Sequence, residues 1–342
     1  MEAIILAGGF GTRLRPLTYT RAKSLLPILN KPMISYLIES LPKEVDKVVL
    51  AVNYRKKQIE EFLKRIKSDK EFIVNDEPKP LGTGGAVKFA EKHITGSFFV
   101  LNSDIICSIN LKNMIKTHIK NNAVSTISLW PVENVSEFGV ADVKENGNII
   151  GFIEKPKQED APSNFINAGA YFLEPEILDY IETGRLVSME KEIFPQIINN
   201  TGRFFGYKFK GYWMDIGRIS SYINVNKFLI KKQKIKNCQG KRCEIHGILK
   251  KSCIGDNVYI GKDSKSYSSI VYNNVKINDG VTLDGCVIGE NCKIENYSKI
   301  KNSVIGDNET ISENSIVENK MVWTQPIPNG YPDKQIGNII ER

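Results

Sequence analysis

Histidine is scarce in this sequence, with three residues in 342, and no His–carboxylate or Cys–His pair stands out. Catalysis by an activated nucleophile with a histidine base therefore has little support. No apolar run approaches the roughly 20 residues that a membrane-spanning helix needs. The N-terminus carries Glu2 and then strand-like residues, so no signal peptide is expected. The six cysteines, Cys107, Cys238, Cys243, Cys253, Cys286 and Cys292, form no Cys-x-x-Cys pair. A reduced cytoplasmic protein with free thiols is the expectation, without structural zinc. Long basic blocks are missing too: 47 basic against 39 acidic residues give +8, spread along the chain. Phosphorylated small molecules fit that balance; nucleic acid and membrane are not expected partners.

Two familiar nucleotide signatures are also absent. Arg13 follows Thr12 where a phosphate loop needs Lys and then a hydroxyl, and Leu14 stands where the dinucleotide fingerprint needs its third glycine. What is present is Ile4-Ile5-Leu6, a short apolar strand, running into Ala7-Gly8-Gly9-Phe10-Gly11-Thr12. Three glycines in four positions let the backbone approach a ligand and turn N–H groups toward an anion. Arg13, Arg15 and Lys23 add cations beside the loop. The pattern suits a nucleoside triphosphate, and equally a tight turn with solvated basic residues.

Apolar strands and amphipathic helices alternate through the next hundred residues. Val48–Val52, Phe72–Val74, Phe98–Leu101 and Ser125–Leu129 read as strands, with helices over Met33–Leu41, 59–66, Gly84–His93 and 111–119. That rhythm predicts an α/β, Rossmann-like, mostly parallel sheet with helices on both faces. Gly139–Val143 and Ile149–Ile153 flank Asn146-Gly147 as a hairpin. Asn167–Leu173 and Tyr207–Trp213 are further strands, Glu190–Ile198 is a helix, and a closing helix runs from Ile219 to about Lys234.

Beyond a polar junction at 231–236 the period becomes 17. Ile254, Val271, Ile288 and Ile305 share it, as do Ile260, Ile277, Ile294 and Ile311, and Ser266, Leu283, Ile300 and Val317. Within a coil these positions fall five or six apart, the hexapeptide signature of a left-handed parallel β-helix. Asn257, Asn274, Asn291 and Asn308 keep the same spacing, which suits left-handed turns. The expected divisions are 1–234 for the α/β domain, 235–320 for the β-helix and 321–342 for an irregular tail.

Several polar residues stand where chemistry is expected. Asp104 ends the Phe98–Leu101 strand at its carboxyl side, where open α/β sheets bind ligands. Asp215 follows Trp213-Met214. Strand-end aspartates can share a divalent ion with phosphate oxygens, though each alone is equally a cap or turn residue. Glu77 to Gly85 forms a second glycine-rich loop, whose helix start offers N–H groups to a base or phosphate, or is simply a cap. Glu154-Lys155 alone reads as a surface pair. His118 reads as packing.

In combination these stretches resemble the sugar-1-phosphate nucleotidyltransferases. The likeness lies in Leu6–Thr18, Glu77 with Pro80-Leu81-Gly82-Thr83, Leu101–Asp104, Phe138–Val140, Glu154–Pro156, Asn167–Gly169 and Trp213–Gly217, in that order. It covers about residues 1–230, and the β-helix extends it to about 320. Within the family, 99–107, 188–195 and 211–217 are most similar to the mannose-1-phosphate guanylyltransferases. One departure is Ala22-Lys23-Ser24, where many members carry Pro-Lys-Pro.

The resemblance implies transfer of a nucleotidyl group from a nucleoside triphosphate to a sugar 1-phosphate, with GTP and mannose 1-phosphate as the expected pair. It implies that Leu6, Ala7, Gly8, Gly9, Gly11, Thr12 and Arg13 hold the nucleotide, and that Lys23 neutralises charge during transfer. Glu77, Pro80, Gly82 and Thr83 belong to the base side by the same token. It further implies that Asp104 and Asp215 hold Mg²⁺, that Asn102, Gly139, Glu154 and Asn167 contact the sugar, and that Lys155 contacts its phosphate. The attacking phosphate oxygen is already ionised, so orientation and charge neutralisation suffice. Alternatives are a glucose-1-phosphate thymidylyl- or uridylyltransferase, a non-catalytic regulatory subunit, or a bifunctional enzyme whose acyl transfer relies on His246. The β-helix is expected to mediate homo-oligomerisation or regulation through its flat faces.

Overall fold

Runs of aliphatic and β-branched residues become the parallel half of a nine-stranded sheet. The strands are β1 (Glu2–Leu6), β2 (Lys47–Val52), β3 (Glu71–Asp76), β4 (Phe98–Asn102), β5 (Ser125–Pro131), β6 (Gly139–Val143), β7 (Ile149–Glu154), β8 (Phe165–Leu173) and β9 (Phe204–Lys208). The order β4-β1-β2-β3 is parallel throughout. β4, β1 and β2 are buried on both faces, as the near-continuous apolar runs require, while β3 at the edge is mostly half-buried. The other half is mixed. β8 runs antiparallel to β4, β5 and β6, β6 and β7 form the expected hairpin, and β9 joins β5 in parallel.

The structure is a computed structural model that describes residues 1–328. It divides into two compact units: Met1–Gly9 with Ile34–Met214, and Phe10–Met33 with the residues from Asp215 onward. This differs from a single division at 234. Residues 10–33 and the helix Ile219–Lys232 group with the coil.

In the first unit, helices Lys56–Arg65 and Gly82–Phe89 carry the chain from β2 to β3 and from β3 to β4. After β1 the sheet grows toward β2 and β3; after β3 the chain crosses to the other side of β1. That reversal makes the carboxyl ends of β1 and β4 the switch point where such sheets bind ligands. The expected strand over 207–213 is two: β9 ends at Lys208, and Trp213–Asp215 is separate. The expected helix from Glu190 opens as a wide π-helical turn, Met189–Ile193, before Phe194–Thr201 becomes α-helical. Phe194 anchors it, packing edge-on against Tyr171 at 5.2 Å and Phe152 at 5.4 Å.

In the second unit the 17-residue period becomes a parallel β-helix of three sheets, with six, five and five strands. Inward positions such as Ile254, Ile277, Ile288 and Ile300 are at most 1% exposed. Each buried side chain of this size contributes about 1.5–3 kcal/mol, and the columns repeat it. All three corners turn through left-handed residues. Asn257, Asn274, Asn291 and Asn308 have φ of 57–60°, and the families of Asp263 and Lys251 behave alike. The asparagines also bond to one another up the stack, at 2.9–3.1 Å. Cys286 and Cys292 are core residues here, their thiols pushed up to about 11 and about 12 by burial.

The coil does not stop at 320. Met321–Val322 pairs with Val304–Ile305, and Val322 continues the Ile305 column. Trp323 covers Gly306, where an added Cβ would stand 2.5 Å from its ring. Thr324 then donates through N and Oγ1 to Glu309 at 2.7 and 2.9 Å. The rest of the expected tail, from 329, lies outside the described residues. Among the described residues no helix is long and apolar enough to cross a membrane.

Candidate active site

In the first unit the switch point gathers several expected residues. Leu6 pairs with Asn102, Ser103 N donates to Leu6 O at 3.3 Å, and Ala7 N donates to Ala51 O at 2.9 Å. The backbone is thus held up to Ala7 and released at Gly8 and Gly9. A Cβ on Gly9 would meet nothing within 4 Å, so this backbone lies open to a ligand. Asp104 follows in the turn after β4 and is half-buried. Asn102 lies over Gly169, whose φ is +77° and whose Cβ, if present, would stand 2.8 Å from Asn102 Nδ2.

Beside them is a polar cluster suited to hydroxyl groups. Asn167 donates to Tyr171 Oη at 2.8 Å, and Tyr171 Oη donates to Glu190 Oε1 at 3.0 Å. Glu190 Oε2 also accepts from Thr83 Oγ1 at 2.7 Å and Ser188 Oγ at 2.9 Å. Glu154 sits over Gly139, where an added Cβ would stand 2.7 Å from Glu154 Oε2. Burial, then the neighbouring Glu190, raises the Glu154 carboxyl above its usual range, against the pull of Lys155. Lys155 Nζ is 3.7 Å from Glu154 Oε1, and its side chain is 62% exposed. The ammonium is therefore available to an anion.

In the second glycine loop two of the helix-start N–H groups are already engaged. Gly84 N and Gly85 N both donate to Val187 O, at 2.8 and 3.3 Å, so these N–H groups are not offered to a base or phosphate. A Cβ on Gly82, whose φ is +74°, would stand 2.5 Å from Val187 O. Close packing against Val187 explains these glycines. Thr83 Oγ1 accepts from Met189 N at 2.9 Å and is likewise engaged. Glu77 is buried, which raises its carboxyl, and it accepts from Leu81 N at 3.3 Å, bracing the loop around Pro80.

In the second unit, Gly11 has φ +63°, and an added Cβ would stand 2.8 Å from Thr18 Cγ2 and 3.2 Å from Lys23 Cβ. Thr18 Oγ1 donates to Gly11 O at 2.9 Å. The loop is thereby folded back on itself with Lys23 against Gly11, while Thr12 and Arg13 face solvent. Arg13 and Asp215 meet over Gly217: an added Cβ would lie 3.0 Å from Arg13 Nη2 and 2.7 Å from Asp215 Oδ2. Arg15 is not a solvent-facing cation at the loop. It is buried, with its guanidinium carbon 5.2 Å from the Tyr19 ring centroid.

A family profile described as Nucleotidyl transferase matches residues 2–232. The chain belongs to the nucleotidyl transferase family. A second profile, described as GMPPB C-terminal domain, matches residues 239–329. Mannose-1-phosphate guanylyltransferase 1 of Arabidopsis thaliana is 38% identical over 301 residues, covering 84% of this chain and 81% of that relative. HddC from Yersinia pseudotuberculosis, solved with GMP-PN, is 28% identical with a TM-score of 0.56, over 67% of this chain and 99% of its own. A UDP-glucose pyrophosphorylase solved with UDP-glucose is 27% identical with a TM-score of 0.59, over 68% of this chain and 98% of its own.

For a nucleotidyl transferase, the residue that sequence reading left without a role is Glu190. It unites Thr83, Tyr171 and Ser188, and no spacing in the sequence connects those positions. His118 packs, as its place beside a helical apolar face predicts. It is buried between Thr126 Oγ1 at 2.9 Å and Glu174 Oε1 at 3.0 Å, and burial lowers its pKa despite Glu174.

Proposed function

We propose that this chain transfers the guanylyl group of GTP to mannose 1-phosphate, forming GDP-mannose and releasing pyrophosphate. What carries the reading is the 38% identity to a mannose-1-phosphate guanylyltransferase over 84% of the chain, extending into the coil. A phosphate oxygen of the sugar 1-phosphate attacks the α-phosphorus, and the bond to the pyrophosphate oxygen breaks. The open backbone at Gly9, with Gly8, Gly11, Thr12 and Arg13, binds the triphosphate, and Lys23 offsets charge on its oxygens. Leu6 and Ala7 line the nucleotide, and Glu77, Pro80, Gly82 and Thr83 shape the base side. Asn102, Gly139, Glu154 and Asn167 face the sugar, and Lys155 takes its phosphate.

Asp104 and Asp215 would hold Mg²⁺. Both are carboxylates at strand ends, the hard oxygen donors this ion selects. When bound, it supplies positive charge to phosphate oxygens. We place the reaction in the cytoplasm, in keeping with six free thiols. The flat outer faces of the coil suit a homo-oligomer; a monomer in sedimentation at assay concentrations would refute that.

The deciding experiment measures pyrophosphate release with Mg²⁺ over a grid of nucleoside triphosphates and sugar 1-phosphates. GTP with mannose 1-phosphate is the expected best pair. No release from any pair would sink the enzyme reading. The likeness to a UDP-glucose pyrophosphorylase supports a second reading, uridylyl or thymidylyl transfer to glucose 1-phosphate, and a best pair of that kind would replace the first.

A further inference from the structure

The coil does more in this unit than stack on itself. One of its columns runs through Asp256, Asn273 and Asp307. At each, one side-chain oxygen accepts a backbone N–H from the coil before: Asp256 Oδ1 from Lys241 N, Asn273 Oδ1 from Asp256 N, Asp307 Oδ1 from Glu290 N, at 2.7–2.8 Å. An asparagine does this work as well as an aspartate. Asp307 has a second oxygen to spare, and it points at the Gly11–Lys23 loop. Its Oδ2 accepts from Thr20 Oγ1 at 2.6 Å and from Arg21 Nη2 at 3.3 Å. Glu290, the member of the column that breaks the Asp/Asn pattern, is long enough to accept from the same Arg21 Nη2 at 2.8 Å.

Arg21 is well enclosed at this junction. Its side chain is 16% exposed and that of Asp307 is 5%, and its guanidinium carbon lies 4.7 Å from the Tyr272 ring centroid. A charged pair this buried holds its geometry, because removing either partner leaves the other desolvated and uncompensated. Further ties run the same way. Asn30 Nδ2 donates to Ile254 O at 2.6 Å, Asn226 Oδ1 accepts from Leu29 N at 2.9 Å, and Tyr19 packs against Trp323 at 5.2 Å. Thr20 and Arg21 stand between Thr18, which closes onto Gly11, and Lys23, which packs against it.

We infer that Arg21, held by Asp307 and Glu290, is a positioning residue through which the coil fixes the triphosphate loop. The inference rests on the reading of that loop as the triphosphate site. It makes the β-helix part of the nucleotide site's support as well as a surface for other copies. The clamp acts on Arg13 and Lys23 through the loop that bears them, so it acts on the nucleotide and not on the sugar.

Asp307→Asn tests this cleanly, since the amide oxygen keeps the bond to Glu290 N while the charge facing Arg21 is lost. Arg21→Lys is its partner variant. Each is expected to raise the KM for GTP about tenfold and to leave the KM for mannose 1-phosphate within about twofold, and the double variant should be little worse than either single. Equal losses for both substrates, additive losses, or no loss would overturn the clamp. A readout that needs no turnover separates this from the choice of substrate. Hydrogen exchange in peptides covering 10–26 should quicken in Asp307→Asn while coil peptides keep their protection. Unchanged exchange there would overturn the clamp even if the substrate grid had already succeeded, and faster exchange beside a silent grid would place the failure in the triphosphate reading and not in the tie between Asp307 and Arg21.

Discussion

Left-handed backbone appears in both units of this protein and does different work in each. In the coil it recurs every 17 residues, at Asn257, Asn274, Asn291 and Asn308, and each time it turns one face into the next. In the α/β unit Gly82 and Gly169 occur once each, and each lies where a Cβ would strike a neighbour, Val187 in one case and Asn102 in the other. The repeated feature is architecture: any residue that tolerates positive φ serves, and asparagine, aspartate, serine, lysine and tyrosine all do. At Gly82 and Gly169 the feature is a close approach, and there only glycine serves, although Arg55, Asn122 and Lys155 adopt positive φ elsewhere in the same unit. Damage should follow the same division. Changes at the strand-end site should remove activity and spare the fold, and changes in the coil away from the Arg21 junction should cost stability first.

The largest effect tests the first half of that contrast. Asp104→Asn keeps the shape of the turn after β4 and removes one carboxylate charge. Pyrophosphate release should fall by on the order of 10³-fold, with a melting temperature close to the parent's. Near-normal rates would refute a metal role for Asp104. A collapse in melting temperature would show that the strand-end site is as structural as the coil, and the comparison would fail.

Ile277→Ala tests the other half. Ile277 is 1% exposed in the inner column between Ile260 and Ile294, on a different face from the Arg21 junction. Truncation should cost about 2–5 kcal/mol, read as earlier unfolding of the coil in urea. The rate at 25 °C should stay within about twofold of the parent's. If the rate falls as far as stability does, the coil supports the site through its whole body and not through the Arg21 contacts.

The same division explains what could be read before the structure. The coil was legible because each environment is stated several times: four asparagines in one column outweigh any accident at one of them. Even so, Val322 was missed as the next member of the Ile305 column, because Trp323-Thr324-Gln325-Pro326 looks like a tail once the period has no further coil to fill. At the strand-end site each residue is stated once. Asp104 is legible as a candidate because it ends an apolar strand at the carboxyl side. Glu190 is not, because its partners Thr83 and Tyr171 are 107 and 19 residues away in the chain. The loop from Glu77 to Gly85 reads equally as a ligand cradle or a cap, and a sequence does not reveal that Val187 O will take the N–H groups of Gly84 and Gly85.

The smallest expected effect separates two reasons for the asparagine column. Asn291 has φ +58° and bonds to Asn274 at 3.1 Å and to Asn308 at 2.9 Å. Asn291→Ala loses both the side-chain bonds and the tolerance for left-handed backbone, and should cost about 1–2 kcal/mol. Asn291→Gly loses only the bonds. These are solvent-exposed, so its cost should be a few tenths of a kcal/mol, offset in part because glycine adopts this φ without strain. Denaturant midpoints of the two variants decide the matter. If glycine is as damaging as alanine, the ladder of amides holds the corner. If glycine is nearly silent, the backbone does, and the coil corners are the interchangeable architecture that the comparison makes them.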